Sequence, residues 1–163
     1  MKPFFYLTAA LALGGCATQT QQEPAPPIKM GLWEVVMDIR RIEPPMAATY
    51  VSQVCLTPET WRDTLDGTGK PLPGCDMHNY KQDAGGWSFD MVCKKQPGRF
   101  GSSDRSTHMQ IAILSAEKVR TTTRSEHAES SEPFVLESLA DGIYQGADCK
   151  GIKPGDYKRV SGS

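Results

Sequence analysis

Trp33, Val35, Met37 and Ile39 alternate with Glu34, Val36, Asp38 and Arg40. Successive side chains of an extended chain point to opposite faces, so this period of two describes a half-buried strand. The period returns further on. Met109, Ile111 and Ile113 form one face of 107–114. Val119, Thr121 and Thr123 form one face of 118–127, with Arg120, Arg124 and Glu126 on its solvated side. Turn signals separate such runs: Pro44-Pro45, then Asp83-Ala84-Gly85-Gly86 between 77–82 and 87–92, then Ser130-Ser131-Glu132-Pro133. Segments 47–56 and 134–144 complete the strand candidates, although Glu137 to Gly142 is locally helix-friendly. Thr57 can cap a short helix that Pro58 opens. The pattern predicts a mainly β fold, an antiparallel meander of six to seven strands curled into a small barrel or sandwich, with one short helix. Trp33 and Trp87 belong to its core; Trp61, on the helix, plugs one end or lines a pocket mouth.

Of the five cysteines, Cys16 stands apart. Lys2 precedes an apolar run, 4–13, broken only by Thr8. That is about the length of a signal-peptide core and too short to span a bilayer. Leu13-Gly14-Gly15-Cys16 is similar to the lipobox of bacterial lipoproteins. In proteins with that motif the thiol is diacylated, the chain is cut before it, and the new amino group is acylated. The likeness implies a signal peptide over 1–15 and lipidation of Cys16 by fatty acids such as palmitate. Each buried methylene contributes about 0.8 kcal/mol, and two or more chains hold a protein on a membrane. Ala17, where an aspartate would favour retention in the inner membrane, points to the periplasmic face of the outer membrane. Residues 16–29, rich in Gln and Pro, read as a tether of roughly 30 Å. The folded domain is expected over 30–149 and a polar tail over 150–163.

The remaining cysteines, Cys55, Cys75, Cys93 and Cys149, form an even set. In an oxidising compartment that suggests two disulfides, with three possible connectivities. Folding the chain at Asp83 to Gly86 brings Cys75 nearly opposite Cys93, so these two pair. Cys55 and Cys149 pair by elimination. No two cysteines are spaced C-x-x-C, which argues against a thioredoxin-like site or a zinc knuckle.

Charge excludes one class of partner. Removing 1–15 takes away one of 18 basic and none of 19 acidic residues, which moves the net charge from −1 to −2. Such a near-neutral domain has no electrostatic attraction for nucleic acid.

Motifs for chemistry are weak. Gly67-Thr68-Gly69-Lys70 is followed by Pro71, which removes a donor that a phosphate cradle needs. His127-Ala128-Glu129 has half of a zinc-deaminase signature and lacks the cysteine half. His78 and His108 adjoin Met77 and Met109, a pairing that suits copper. Neighbours in a strand, however, point to opposite faces and cannot chelate together. There is no G-x-S-x-G, and Asp63, Asp66 and Asp76 around one loop are better read as solubilising carboxylates. No catalytic residue, metal ligand or cofactor is assigned.

Gly31-Leu32-Trp33-Glu34, Cys55-Leu56-Thr57-Pro58-Glu59, Gly74-Cys75, Trp87-Ser88-Phe89 with Cys93, and Gly146-Ala147-Asp148-Cys149 occur in that order. Together they resemble the bacterial domain-of-unknown-function family numbered 3617, over about 30–149. Ala147 interrupts the glycine–aspartate pair usual at the end of that family. The resemblance implies the four-cysteine framework and an envelope address, and carries no known activity. The expectation is therefore a non-enzymatic, lipid-anchored binding module for an apolar or lipid-like ligand. The alternative is a structural or protein-interaction lipoprotein of the envelope.

Overall fold

Asp83-Ala84-Gly85-Gly86 does reverse the chain. The Asp83 carboxylate accepts the Gly85 N–H at 2.7 Å, which closes the turn. Gly86 has φ 144°, and a Cβ there would lie 1.9 Å from the carbonyl oxygen of Ile111. Only glycine lets the two backbones approach so closely.

The computed structural model describes residues 26–65, 74–95, 104–128 and 133–162. Residues 1–15, Cys16, the start of the tether, Gly67 to Lys70, Asp66 and Glu129 lie outside them. The strands are β1 (Gly31–Arg41), β2 (Met46–Leu56), β3 (Cys75–Asp83), β4 (Gly86–Cys93), β5 (Arg105–Ser115), β6 (Lys118–His127), β7 (Phe134–Gly146) and β8 (Tyr157–Gly162). They form one antiparallel sheet in the order β3-β4-β5-β6-β7-β1-β2-β8. The helix α1 (Trp61–Leu65) lies between β2 and β3 in sequence. A turn over 58–60 precedes it, so it begins later than Thr57 suggested; the Thr57 carbonyl accepts the N–H groups of both Thr60 and Trp61.

The mainly β, antiparallel class is the one the alternation predicts, with eight strands in place of six or seven. The extra strand is β8, inside the segment read as a polar tail. All six of its residues are exposed, so it has no apolar period. Its place is set from outside: Cys149 is disulfide-bonded to Cys55 of β2, and the Gly155 N–H donates to the Cys55 carbonyl at 2.8 Å. This lays the returning chain along the edge of β2.

The sheet is strongly curled. Val54 and Leu56 of β2 share one buried cluster with Trp87 and Phe89 of β4. Five strand spacings of about 4.8 Å would hold β2 and β4 roughly 24 Å apart in a flat sheet. No ladder joins the edge strands β3 and β8, so the curl remains open. Trp33, Trp61, Trp87, Ile111 and Val119 fill its interior, and such fully buried side chains each contribute about 1.5–3 kcal/mol. Trp61 plugs the α1 end, its ring 5.7 Å from that of Trp87. Ile28 joins the same cluster, only 4% exposed, and the Trp33 indole donates to the Lys29 carbonyl at 2.9 Å. The fold thus takes in the last part of the segment read as tether.

Candidate ligand-binding cavity

The registers stack the inward-facing residues into rows across the sheet. One row runs Tyr50, Met37, Ala140, Thr121, Ile111, Trp87, from β2 through β1, β7, β6 and β5 to β4. The next runs Ala48, Ile39, Ser138, Thr123, Met109, Phe89. In each row the side chains on β1, β5 and β4 are large, and those on β6 and β7 are small. Gly142 continues the small stripe one row nearer α1, between Val35 and Val119. A small curled sheet is normally filled by its inward side chains. Here Ala140, Gly142, Ser138, Thr121 and Thr123 are too short to reach across.

The result is a cavity of about 220 Å³. Val35, Met37, Met109 and Val119 supply its apolar wall, and the hydroxyls of Thr121, Thr123 and Ser138 line the other side. Ile28, Trp33 and Leu65 close the α1 end. Tyr157 reaches in from β8, and its hydroxyl donates to the Thr64 carbonyl at 3.3 Å. A concave, mostly apolar space with a few hydroxyls is the usual form of a small-molecule site. It holds an apolar body and offers hydrogen bonds to one side of it. It presents no nucleophile–base pair.

The outer face carries charges instead. A row of His78, Asp90, His108, Arg124, Glu137 and Arg40 crosses it. Four of its members pair: His108 Nδ1 lies 2.7 Å from Asp90, and Arg124 donates to Glu137 at 2.6 Å. Hydrogen bonds from Asn79 and then His108 hold the Asp90 carboxyl below its ordinary range. Two rows nearer the β5–β6 turn, Arg120 meets Asp141 through two bonds, at 2.7 and 2.8 Å, and depresses that carboxyl as well. A groove of about 380 Å³ lies over this face, lined by Asp38, Arg40, His108 and Arg124 among others. It is larger than the inner cavity, but two of its charges, His108 and Arg124, are engaged with Asp90 and Glu137, and its Asp38 accepts from the Thr49 hydroxyl.

The residues singled out in the sequence are distributed as follows. Cys75 and Cys93 are bonded across the β3–β4 ladder with Cα atoms 3.9 Å apart, and Cys55 and Cys149 with Cα atoms 5.4 Å apart. These bonds frame the curl at opposite edges and take no part in the cavity. His78 and His108 flank Asp90 on the outer face, whereas His127 stacks on Phe134 with ring centroids 4.4 Å apart. The three histidines do not converge. Among the described residues no group of His, Cys, Asp or Glu could hold a metal ion. Trp33 lines the cavity; Trp61 and Trp87 pack beside it. The cavity residues that the sequence did not single out include Ile28, Leu65 and Tyr157 and, on β7, Ser138, Ala140 and Gly142. The shortness of those on β7 acquires meaning only once the register sets them opposite Thr121, Thr123 and Val119.

No curated protein matches the sequence. Among solved structures, the S-type phycobiliprotein lyase of Guillardia theta is similar at 9% identity, over 72% of this chain and 88% of that one, with a TM-score of 0.42. Residues 14–149 match the family described as proteins of unknown function, DUF3617, and the chain belongs to that family.

Proposed function

We propose that this protein is a non-catalytic binding module of the bacterial envelope, and that it holds a small apolar or lipid-like molecule in the cavity inside its sheet. One observation carries the reading: five short side chains on two neighbouring strands leave an apolar space where a structural barrel would place large ones. Packed interiors leave few voids larger than a water molecule, because unfilled space forfeits dispersion contacts. A concave apolar pocket of this size is covered more favourably by an apolar molecule than by water.

The lipobox-like Leu13 to Cys16 supports an address for the module, with lipid on Cys16 holding the domain at the periplasmic face of the outer membrane. Changing Cys16→Ser should then move the protein from the membrane fraction to the soluble one; retention in the membrane would contradict the anchor.

The cavity is tested by filling it. Ala140→Phe places a ring in the void from β7. An uncharged, environment-sensitive fluorophore should bind the wild-type chain and brighten, and Ala140→Phe should abolish the signal while the protein melts at or above the wild-type temperature. Equal brightening in both proteins would place the binding elsewhere and reject the proposal.

A further inference from the structure

Beyond the cavity the rows of the inner face change character. The row after Ile39, Ser138 and Thr123 contains Arg41, Leu136, Ser125 and Thr107. The one after that contains Phe134, His127 and Arg105. Each row is a step of about 6.7 Å along the strands. The interior therefore runs from an apolar end closed by α1, through a band of hydroxyls, to a cationic end.

Arg41 and Arg105 are both prepared to meet an anion. The Arg41 guanidinium lies 4.3 Å from the centroid of the Phe134 ring, and its Nε donates to the Glu43 carbonyl at 3.0 Å. These contacts fix the plane of the group and leave its terminal nitrogens without a carboxylate among the described residues. Arg105 is more telling. Its Nε is buried and has no acceptor among the described residues. A buried donor to a charged group is costly to leave unmade, and such atoms normally have a partner. Burial, and then the charge of Arg105, lower the pKa of His127 beside it. Two of the described acids at this end are engaged elsewhere: Asp104 with Lys94 at 3.7 Å and with the Lys95 N–H, and Glu126 with Arg124 at 3.5 Å.

We infer that the ligand is a single-chain amphiphile, with its tail in the cavity between β1, β6 and β7 and an anionic head, carboxylate or phosphate, on Arg41 and Arg105. The inference rests on the cavity being a binding site and adds the chemistry and orientation of what it binds. Guanidinium groups suit such heads because their planar N–H fork can donate two parallel bonds to one anion.

Calorimetry on the full-length chain, with each amphiphile below its micelle concentration, tests this with decanoate, decyl phosphate, decanol and decyltrimethylammonium. The anions should bind about tenfold or more tightly than decanol, and the cation more weakly than either. Decanoate against decyl phosphate tells which head is preferred. Arg41→Met and Arg105→Met should each lose about tenfold for the anions and leave decanol unchanged, and Arg41→Lys should keep part of the preference. Should a methionine variant fail to fold, raising the salt concentration on the wild type should weaken the anions and spare decanol. Equal affinity for decanoate and decanol, insensitive to salt, overturns the inference and leaves the apolar site standing. Binding of none of the four overturns both.

Discussion

At the scale of single residues, two positions show how local chemistry is turned to a structural end. Gly86 has φ 144° and sits against the Ile111 carbonyl. Gly86→Ala combines backbone strain with a clash against main chain that cannot step aside. It should cost roughly 2–3 kcal/mol, read as a lowered urea midpoint; an unchanged midpoint would show that β4 and β5 can separate freely there. Asp141 illustrates an electrostatic dependence. The hydrogen bonds from Arg120 depress its folded-state pKa below the ordinary carboxyl value. Its contribution is therefore fully present above about pH 4 and is lost as the pH falls through the depressed value. Wild type should exceed Asp141→Asn in stability at neutral pH, with the gap closing in acid. Both partners are partly exposed, so the gap is small and should shrink with salt. A gap that persists at low pH would assign the effect to packing.

At the scale of elements, the alternation of Trp33 to Arg40 and of Met109 to Ile113 was enough to read strands, because one face of each is buried and the other solvated. The hairpin at Asp83 to Gly86 was legible because its turn chemistry is local. Two features were not. Glu137 to Gly142 carries a helix-friendly signal, yet β7 is paired on both sides, to β1 and β6, and those long-range ladders override the local preference. β8 has no apolar period of its own and is placed by a disulfide and a backbone contact from far away in sequence. The cavity was illegible for a related reason. Ser138, Ala140 and Gly142 look like a weak strand until the register shows that they face Thr121 and Thr123, so that shortness is stacked on shortness. The disulfides differ in reach, closing loops of 94 and 18 residues. In the chain-entropy model the longer one should contribute about 1.5 kcal/mol more. Chemical denaturation of Cys55→Ala/Cys149→Ala should therefore begin before that of Cys75→Ala/Cys93→Ala. The reverse order would show that the short bridge carries the curl.

At the scale of the whole molecule, the sheet has two faces with different tasks. The outer one carries charges, among them the pairs His108–Asp90, Arg124–Glu137 and Arg120–Asp141. The inner one is graded, from the tryptophans and Ile28 at the α1 end, through the small-residue stripe, to Arg41 and Arg105. The chain that leads to Cys16 enters at the closed end, so the cationic end faces away from the point where the tether joins the fold. That arrangement fits a container held by one end and loaded at the other. The most direct test is to isolate the full-length protein from cell envelopes without added amphiphile, and to weigh it by native mass spectrometry beside Ala140→Phe. One additional small molecule per chain on the wild type, absent from the filled variant, is the predicted result. Identical masses for both, with no adduct lost from either, would contradict the account.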